Sequence, residues 1–268
     1  MIAMQKFASR LKSALQALGD YAMTWAHHAG GLAMLMWQII VNLMPWRWKF
    51  DGPEVWRSMY RVGVKSFPIV MVTAVLVGAI MVIQSGLYIE QYQAHGLLGW
   101  GAGYSILREV GPILIGLMFS GRVGANNTAE LGTMNVTDQI DALRALAIDP
   151  VAYLVVPRFL AMIVMMFLLV VVGNFTALIG GAITSQYLLG VDMVLFYQSV
   201  VSYVLLEDLW HGLIKSVMFG VAIAVISCYF GLATRGGAQG VGRSVNASVV
   251  GSAIAIFVID YLMVYGDL

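Results

Sequence analysis

A polar segment interrupts the apolar sequence of this chain at residues 121–157, which read GRVGANNTAELGTMNVTDQIDALRALAIDPVAYLVVP. The segment is too polar for the hydrocarbon interior of a bilayer and too short to form a domain. Apolar residues recur along it at the helical spacing of four, three and four, namely Val136, Ile140, Leu143 and Ala147. This spacing predicts a short amphipathic helix between two more apolar parts of the chain.

The ends of the predicted helix carry start and stop signals. Asn135 or Thr137 offers a side-chain oxygen to the free N–H groups of a first turn. Asp149–Pro150 ends the helix, because the residue before a proline is disfavoured in helical conformation. Such a helix either docks onto a partner protein or lies on the surface as a linker, and both interpretations fit its geometry.

The composition is that of an integral membrane protein. Of the 268 residues, 60% are hydrophobic and 11% are charged, whereas a soluble domain has about 25% charged residues. The mean hydropathy is +0.84. The net charge of +1 argues against nucleic acid as a partner. The single cysteine excludes an intrachain disulfide, and the four histidines lack metal-ligand spacing, so no metal site is predicted.

Five stretches are long and apolar enough to cross a bilayer, which takes about 20 residues. They are residues 66–89, 97–121, 159–191, 216–234 and 244–266. The apolar stretch 32–44 would extend only roughly 20 Å as a helix and is too short to cross. We therefore predict an all-α integral membrane protein with five transmembrane helices in residues 51–268.

The N-terminal residues 1–50 are predicted to form an interfacial, amphipathic helical segment. Phe7, Leu11, Leu15 and Leu18 make an apolar stripe, and basic residues surround it. A helix of this type lies in the headgroup region, where its cations face anionic lipids.

Charge asymmetry predicts the orientation. Cations gather on one side of the spans, at Lys6, Arg10, Lys12, Arg47, Lys49, Arg57, Arg61, Lys65, Arg122, Arg144, Arg158, Arg235 and Arg243. The opposite connections carry Glu90, Asp192, Glu207 and Asp208 and almost no cations. By the positive-inside rule, the N-terminus and residues 122–158 are predicted to be cytoplasmic and the C-terminus to lie on the other side.

Four charged residues fall inside or at the edge of the predicted spans: Arg108, Glu109, Lys215 and Asp260. A charge at the centre of a membrane helix costs about 2.5 to 3.5 kcal/mol on insertion scales, so such residues face a cavity or pair with one another. They either line a path for an amphipathic cargo with a charged headgroup or hold the helices in register, for example through Glu109 and Lys215. Gly111–Pro112 predicts a bend beside them.

Residues 237–244, GAQGVGRS, come close to a phosphate-binding loop. Arg243 replaces the required lysine and membrane spans flank the motif, so we predict a tight turn rather than a nucleotide site. Any ATP hydrolysis would then take place in a separate subunit. Asp260 and Asp267 lie on one helix and no nucleophile elbow is present, so an enzyme is not predicted.

Three motifs closely resemble the MlaE-type permeases, the membrane subunits of ABC systems that move phospholipids between bacterial inner and outer membranes and maintain outer-membrane lipid asymmetry. They are LREVGPILIGLMFSGRVG at 107–124, AELGTMNVTDQIDAL at 129–143 and DPVAYLVVPR at 149–158. The resemblance extends from about Val62 to Val264. The chain departs from the family pattern at Asn126–Asn127, where small residues are usual.

The resemblance implies a multi-pass homodimer in the bacterial inner membrane, with a cytoplasmic N-terminus and a periplasmic C-terminus. Its partners would be a cytoplasmic ABC ATPase that binds ATP and magnesium, a periplasmic MCE-domain protein and, as is frequent in the family, a STAS-domain protein; this chain would hold no cofactor. A coupling helix at about 127–148 would fit the ATPase. The coupling residues implied are Glu130, Gly132, Met134, Gln139, Ile140, Asp141 and Leu143.

The resemblance also implies a phospholipid cavity lined by the first two spans. Its lining would be Ile83, Gln84, Leu87, Tyr88, Leu107, Arg108 and Glu109. Two alternatives stay open: a proton-coupled secondary transporter in which Glu109, Lys215 and Asp260 relay protons, or a member of the same family that carries a sterol or another hydrophobic cargo.

Overall fold

The computed structural model of the chain describes residues 19, 23, 26–44, 52–91 and 95–266, without the side chains of 88–95. Its internal contacts divide the chain into two units, Met1–Trp48 and Lys49–Leu268. The described part of the first unit contains helix α1, at 26–43. The predicted N-terminal stripe and the predicted boundary at residues 50 and 51 lie outside the described residues.

The second unit is built from helices, and its described part contains no strand. The helices are α2 (Gly52–Gln91), α3 (Leu98–Ser105), α4 (Gly111–Phe119), α5 (Ala125–Val136), α6 (Gln139–Ala145), α7 (Val156–Leu189), α8 (Met193–Tyr203), α9 (Leu206–Leu232) and α10 (Gly237–Gly266). A 3₁₀ turn spans His95–Leu97, and π-helical turns span Ile106–Val110, Ser120–Gly124 and Val151–Val155.

Within the described residues, five helical stretches are long and apolar enough to cross a membrane. They are Gly52–Leu87, Leu98–Val136, Val151–Leu189, Leu206–Leu232 and Gly237–Gly266. Each corresponds to one of the five predicted spans, so the predicted all-α membrane fold is confirmed. The helices are longer than the predicted spans because hydropathy marks only the part suited to lipid, whereas backbone hydrogen bonding continues into polar flanks. α1 is not among the five.

The second span is one continuous helical stretch in which two π-helical turns separate α3, α4 and α5. After the first turn, the N–H of Gly111 bonds to the carbonyl of Ile106, five residues back. Pro112 has no N–H for the carbonyl of Arg108, and its ring would crowd that carbonyl in a regular α-helix. The disruption predicted at Gly111–Pro112 thus takes the form of a widened turn.

The helix predicted from Val136 to Ala147 is shorter in the structure. α5 continues to Val136, Asp138 then takes a left-handed conformation with φ of 58°, and α6 ends at Ala145. Ala147 is also left-handed, with φ of 57°. The sequence pattern joined the end of one helix to the start of another because both happen to bury one side.

The predicted cap of this helix was wrong. Asn135 donates its amide to the carbonyl of Thr234 at 2.8 Å, and Thr137 donates to the carbonyl of Thr133 at 2.8 Å. The Asp149 carboxylate accepts from the N–H of Val151 at 2.9 Å. Asp149 therefore starts the third span, and the end of α6 is set earlier.

The α2 and α7 helices pack along much of their length. A Cβ at Gly78 would collide with the backbone carbonyl of Ala177, so this close approach requires glycine. Buried Val82, Ala102 and Phe196 belong to the same apolar core. Among the five apolar stretches, α10 and α2 are the least covered by the rest of the chain.

Two further elements differ from the sequence prediction. α8 was not predicted: it packs Phe196 into the core, and the hydroxyl of Ser199 accepts the N–H of Trp100 at 3.0 Å. Residues 237–244 were predicted to form a tight turn, but they are the first turns of α10. Gly236, just before the helix, and Gly237, its first residue, have positive φ of 88° and 66° and turn the chain into α10.

Candidate functional site

Five charged side chains from three helical elements meet inside the bundle, and we call them the charge network. Its members are Arg108 and Glu109 from the first π-helical turn, Asp208 and Lys215 from α9, and Asp260 from α10. Gly212 lets α9 approach this turn, since a Cβ there would collide with the carbonyl of Leu107.

Lys215 is the centre of one half of the charge network. Its Nζ lies 2.6 Å from Oε2 of Glu109 and 2.9 Å from Oδ1 of Asp260, and its side chain is 0% exposed. A buried ammonium without a counter-charge would be strongly destabilising, so these two carboxylates are what allow the lysine to lie inside the bundle. The pairing of Glu109 with Lys215, one of the two interpretations left open by the sequence, is present.

Arg108 is the centre of the other half. Its Nη1 donates to Oδ1 of Asp208 at 2.7 Å, and its guanidinium lies 5.6 Å from the ring centroid of Tyr104, a cation–π distance. Asp208 is fixed in turn, because its Oδ2 accepts the N–H of Leu205 at 3.1 Å. Arg108 and Glu109 keep 22% and 29% of their side chains exposed.

Sequence reasoning placed Asp208 in an outer connection and missed its role. The spacing to Lys215 could have identified it, because residues seven apart lie on the same face of a helix two turns away. The helix was predicted to start only at residue 216, and Asp208 was therefore read as part of a loop.

The chemistry available to the charge network is recognition of opposite charges in a weakly polar setting. The guanidinium of Arg108 is a donor group suited to an anionic oxygen, and the carboxylate of Glu109 is an acceptor suited to a cationic group. Among the described residues, no group of three His, Cys, Asp or Glu side chains is placed to hold a metal ion.

The other residues that the family resemblance implied as lining the lipid cavity differ in how exposed they are. On α2, Ile83, Gln84 and Leu87 are exposed, whereas Leu107 is buried in the core. The side chain of Tyr88 lies outside the described residues. The structure therefore brings Arg108 and Glu109 together with Asp208, Lys215 and Asp260, and leaves an apolar face of α2 uncovered.

The residues implied in coupling occupy two different environments. Gln139 and Asp141 are exposed on α6, Leu143 and Met134 are half-buried, and Ile140 and Gly132 are buried. Because Ile140 is 0% exposed, it anchors α6 on its own chain and is not accessible to a partner.

Glu130 faces other helices of the bundle and not the end of the connection between the second and third spans. Its Oε2 lies 3.2 Å from Arg61 and 3.4 Å from Arg158, and its Oε1 accepts from the amide of Asn126 at 2.9 Å. These contacts join α5 to α2 and α7.

An exposed apolar residue at the tip of this connection was missed. Leu146 is 71% exposed, directly after α6, and Ile148 is 38% exposed. A single exposed leucine is common on protein surfaces, so Leu146 is a candidate contact residue because of its position directly after α6, and not because of its exposure alone. The sequence pattern had selected Ala147 instead, because a regular helix was assumed to continue through it.

The chain matches the family description Permease MlaE over residues 55–265. It is 38% identical to a probable ABC transporter permease protein of Rickettsia typhi, over 78% of this chain and 81% of that protein. It is 27% identical to the intermembrane phospholipid transport system permease protein MlaE of Haemophilus influenzae, over 93% and 95% of the two chains. It is 33% identical to the chloroplastic protein TRIGALACTOSYLDIACYLGLYCEROL 1 of Arabidopsis thaliana, over 84% and 64%.

The family match covers the charge network, helix α6 and the five apolar stretches apart from three residues at the start of the first and one at the end of the last. The three sequence motifs that suggested the family all lie within the matched residues. The chain belongs to the MlaE permease family and is a multi-pass membrane permease subunit.

Proposed function

We propose that this chain is the membrane subunit of an ABC transporter that moves phospholipids between the inner and outer membranes of a bacterium. The observation that carries the proposal is the charge network, in which Arg108 and Glu109 remain partly exposed among the apolar residues of the second span. A cargo with a charged headgroup and apolar chains suits this combination of partly exposed charges and uncovered apolar helix faces.

The proposed cargo site combines polar and apolar parts. Arg108 would donate to the phosphate of the headgroup and Glu109 would accept from a headgroup amine or hydroxyl. The exposed Ile83, Gln84 and Leu87 of α2 would contact the acyl chains or glycerol region. Since α2 and α10 are the least covered apolar helices, a second copy of the chain would find free surface there for the proposed homodimer.

The proposed partner on the cytoplasmic side is an ABC ATPase, which supplies ATP binding and hydrolysis. Helix α6 and Leu146 offer it a short, exposed tip, and the buried Ile140 fixes that tip to the permease. Closure of two ATPase subunits would press two such tips together and close the lipid site. A periplasmic MCE-domain protein and a STAS-domain protein complete the proposed assembly.

The proposed location is the inner membrane, with residues 122–158 in the cytoplasm. The support is the excess of arginine and lysine at that end of the bundle. The C-terminus would then be periplasmic, and the charge network would lie in the periplasmic half of the membrane, because Asp208 is close to the start of α9.

A proton-coupled secondary transporter is the second candidate. One observation favours it: Glu109, Lys215 and Asp260 form a contiguous chain of titratable groups across three elements. A different lipid is the third possibility, since the name of the Arabidopsis relative refers to a glycolipid.

The test begins with a mild-detergent pull-down of the chain from native membranes, with proteins and lipids identified by mass spectrometry. Recovery of an ABC ATPase, an MCE-domain protein and phospholipid is expected. Lipid transfer in vesicles that contain the recovered complex should then require ATP. Transfer that follows a pH gradient without nucleotide would replace the proposal with the secondary transporter, and recovery of a sterol or glycolipid would change the cargo.

A further inference from the structure

A second charged site lies at the opposite end of the second span from the charge network. It is a cavity of about 260 Å³ between α2, α5 and α7, and we call it the basic cavity. Its charged lining consists of Arg61, Lys65, Arg122, Arg158 and Glu130. A wider and shallower depression adjoins it and shares Arg61, Glu130 and Arg158.

The basic cavity has four cationic side chains and, among the described residues, one carboxylate. Glu130 is already engaged by Arg61 and Arg158, and Arg122 donates to the backbone carbonyl of Lys65 at 2.8 Å. Cations held this close repel one another, and an anion with several oxygens would relieve the repulsion and accept from several donors at once.

Two asparagines hold one arginine and the glutamate of the basic cavity in place. Arg158 donates to Oδ1 of Asn127 at 3.1 Å, while the Asn127 amide donates to Ser227 at 2.9 Å. Asn126 donates to Glu130 at 2.9 Å. Arg158 and Glu130 are therefore fixed by contacts with other side chains, and Arg61 is held by its ion pair with Glu130.

The position and the remaining lining favour a lipid headgroup over a free ion. Val62, Val123 and Met162 also line the cavity, so a ligand there meets apolar as well as charged groups. Lys65 stands just before the apolar part of α2, where Val64 and Phe67 are exposed to the surroundings. Cations at the end of a membrane span lie close to the phosphates of the adjoining lipid leaflet.

We propose that the basic cavity binds the phosphate group of an anionic phospholipid from the leaflet at the basic end of the bundle. From Arg108 to Arg122 a continuous helix rises by about 20 Å, so one headgroup cannot contact both sites. The basic cavity is a separate lipid site, and its occupancy does not depend on whether the chain transports lipid through the charge network.

The experiment measures lipid retained by the purified full chain. The chain is loaded in nanodiscs that contain phosphatidylglycerol and phosphatidylcholine, transferred to phosphatidylcholine alone, and analysed by native mass spectrometry. Wild type should retain phosphatidylglycerol selectively. Lys65→Gln should reduce this retention about fivefold, the effect of one cation near an anionic headgroup. Arg57→Gln is the matched control, because Arg57 lies on the same helix outside the cavity and is 74% exposed.

Glu130→Gln should change retention in the opposite direction. Loss of the one carboxylate frees Arg61 and Arg158 for the ligand, and retention should rise by about fivefold. A misfolded variant cannot produce this gain. Equal losses in Lys65→Gln and Arg57→Gln would overturn the proposal in favour of diffuse attraction. A fall in retention for folded Glu130→Gln would overturn it as well.

A parallel measurement separates the two sources of phosphate. Inorganic phosphate is added to the loaded chain, and both retained lipid and bound phosphate are measured. Retention of phosphatidylglycerol at millimolar phosphate supports the lipid site. Complete displacement, with phosphate binding lost in Lys65→Gln, would assign the cavity to the free anion and overturn the lipid assignment.

Discussion

The charge network and the basic cavity differ in their balance of charge. The network places two cations among three carboxylates, with Lys215 fully buried. The basic cavity sets four cations around one carboxylate, and Arg61 is 45% exposed. Dehydrated charges must be nearly neutralised from within the protein, whereas charges at a membrane surface can keep an excess because water and headgroups surround them. The comparison indicates that the network must stay nearly neutral to be stable, whereas the basic cavity keeps an excess of positive charge that an anionic ligand can neutralise.

The largest effect is expected at Lys215. Lys215→Met leaves Glu109 and Asp260 close together without a cation, which should lower stability by about 3 to 5 kcal/mol. Thermal unfolding followed by size-exclusion chromatography measures the loss. The triple variant Lys215→Met, Glu109→Gln, Asp260→Asn should recover most of it, since no charge remains uncompensated. An unchanged unfolding temperature in Lys215→Met would mean that the network does not hold the helices together.

The basic end also carries the proposed docking tip, where an effect on binding without an effect on stability is expected. Leu146→Asp should weaken ATPase binding by roughly thirtyfold, as for a residue at the centre of an interface. Copurification of the ATPase with the chain provides the measurement. Leu205→Asp is the matched control, with 63% exposure against 71% for Leu146 and a position at the other end of the bundle.

A substitution at the buried Ile140 distinguishes an effect on folding from an effect on ATPase binding. Ile140→Glu should reduce folded yield rather than ATPase binding alone, because the side chain is 0% exposed. Normal ATPase copurification with Leu146→Asp would remove this tip from the interface.

A smaller effect is expected for cargo binding at the network. Arg108→Ala should reduce retained phospholipid about tenfold, the contribution of one hydrogen bond to a charged group. Because this change also strands Asp208, the double variant Arg108→Ala, Asp208→Asn is needed; it should restore stability but not lipid. Arg108→Lys should keep part of the binding. Equal phospholipid recovery from all of these variants, measured by mass spectrometry, would exclude Arg108 from the cargo site.

The smallest effect is expected on the stability of the chain when a cation of the basic cavity is removed. Lys65→Gln removes one of four mutually repelling cations, so the free energy of unfolding should change by less than about 1 kcal/mol. Chemical unfolding in detergent measures it beside Lys215→Met. If the two lysine substitutions destabilised the chain equally, the contrast between the two clusters would disappear.

The spans could be predicted from the sequence because lipid imposes a strict requirement: long apolar stretches must be helical. The sequence was insufficient where tertiary contacts decide the outcome. The left-handed Asp138 ends a pattern that otherwise continues through Ala147, and the exposed Leu146 follows from that break. α8 has only 11 residues, too few for a span.

Four of the five members of the charge network could be predicted from the sequence, but their pairing could not. Arg108, Glu109, Lys215 and Asp260 were recognisable because a charge within an apolar stretch needs a partner. Which charges pair depends on how α9 packs against the second span, and that packing rests on Gly212, whose close approach no hydropathy pattern records. Asp208 was missed because the fourth span was predicted to begin at residue 216, whereas α9 begins at Leu206, which places Asp208 and Lys215 on one face of the helix.

The π-helical turn at Ile106–Val110 has a consequence for how sequences of the family are compared. A π turn holds one residue more than an α-helical turn. Removing that residue would convert the wide turn into an ordinary α-helical turn, which also makes one full rotation, so α3 and α4 would keep nearly the same orientation to each other. α3 would still pack against α8, but the side chains within the turn, Arg108 and Glu109 among them, would point in different directions. A one-residue gap at this position in a relative therefore signals a different placement of the charged side chains, and not a rotated helix or a shorter loop.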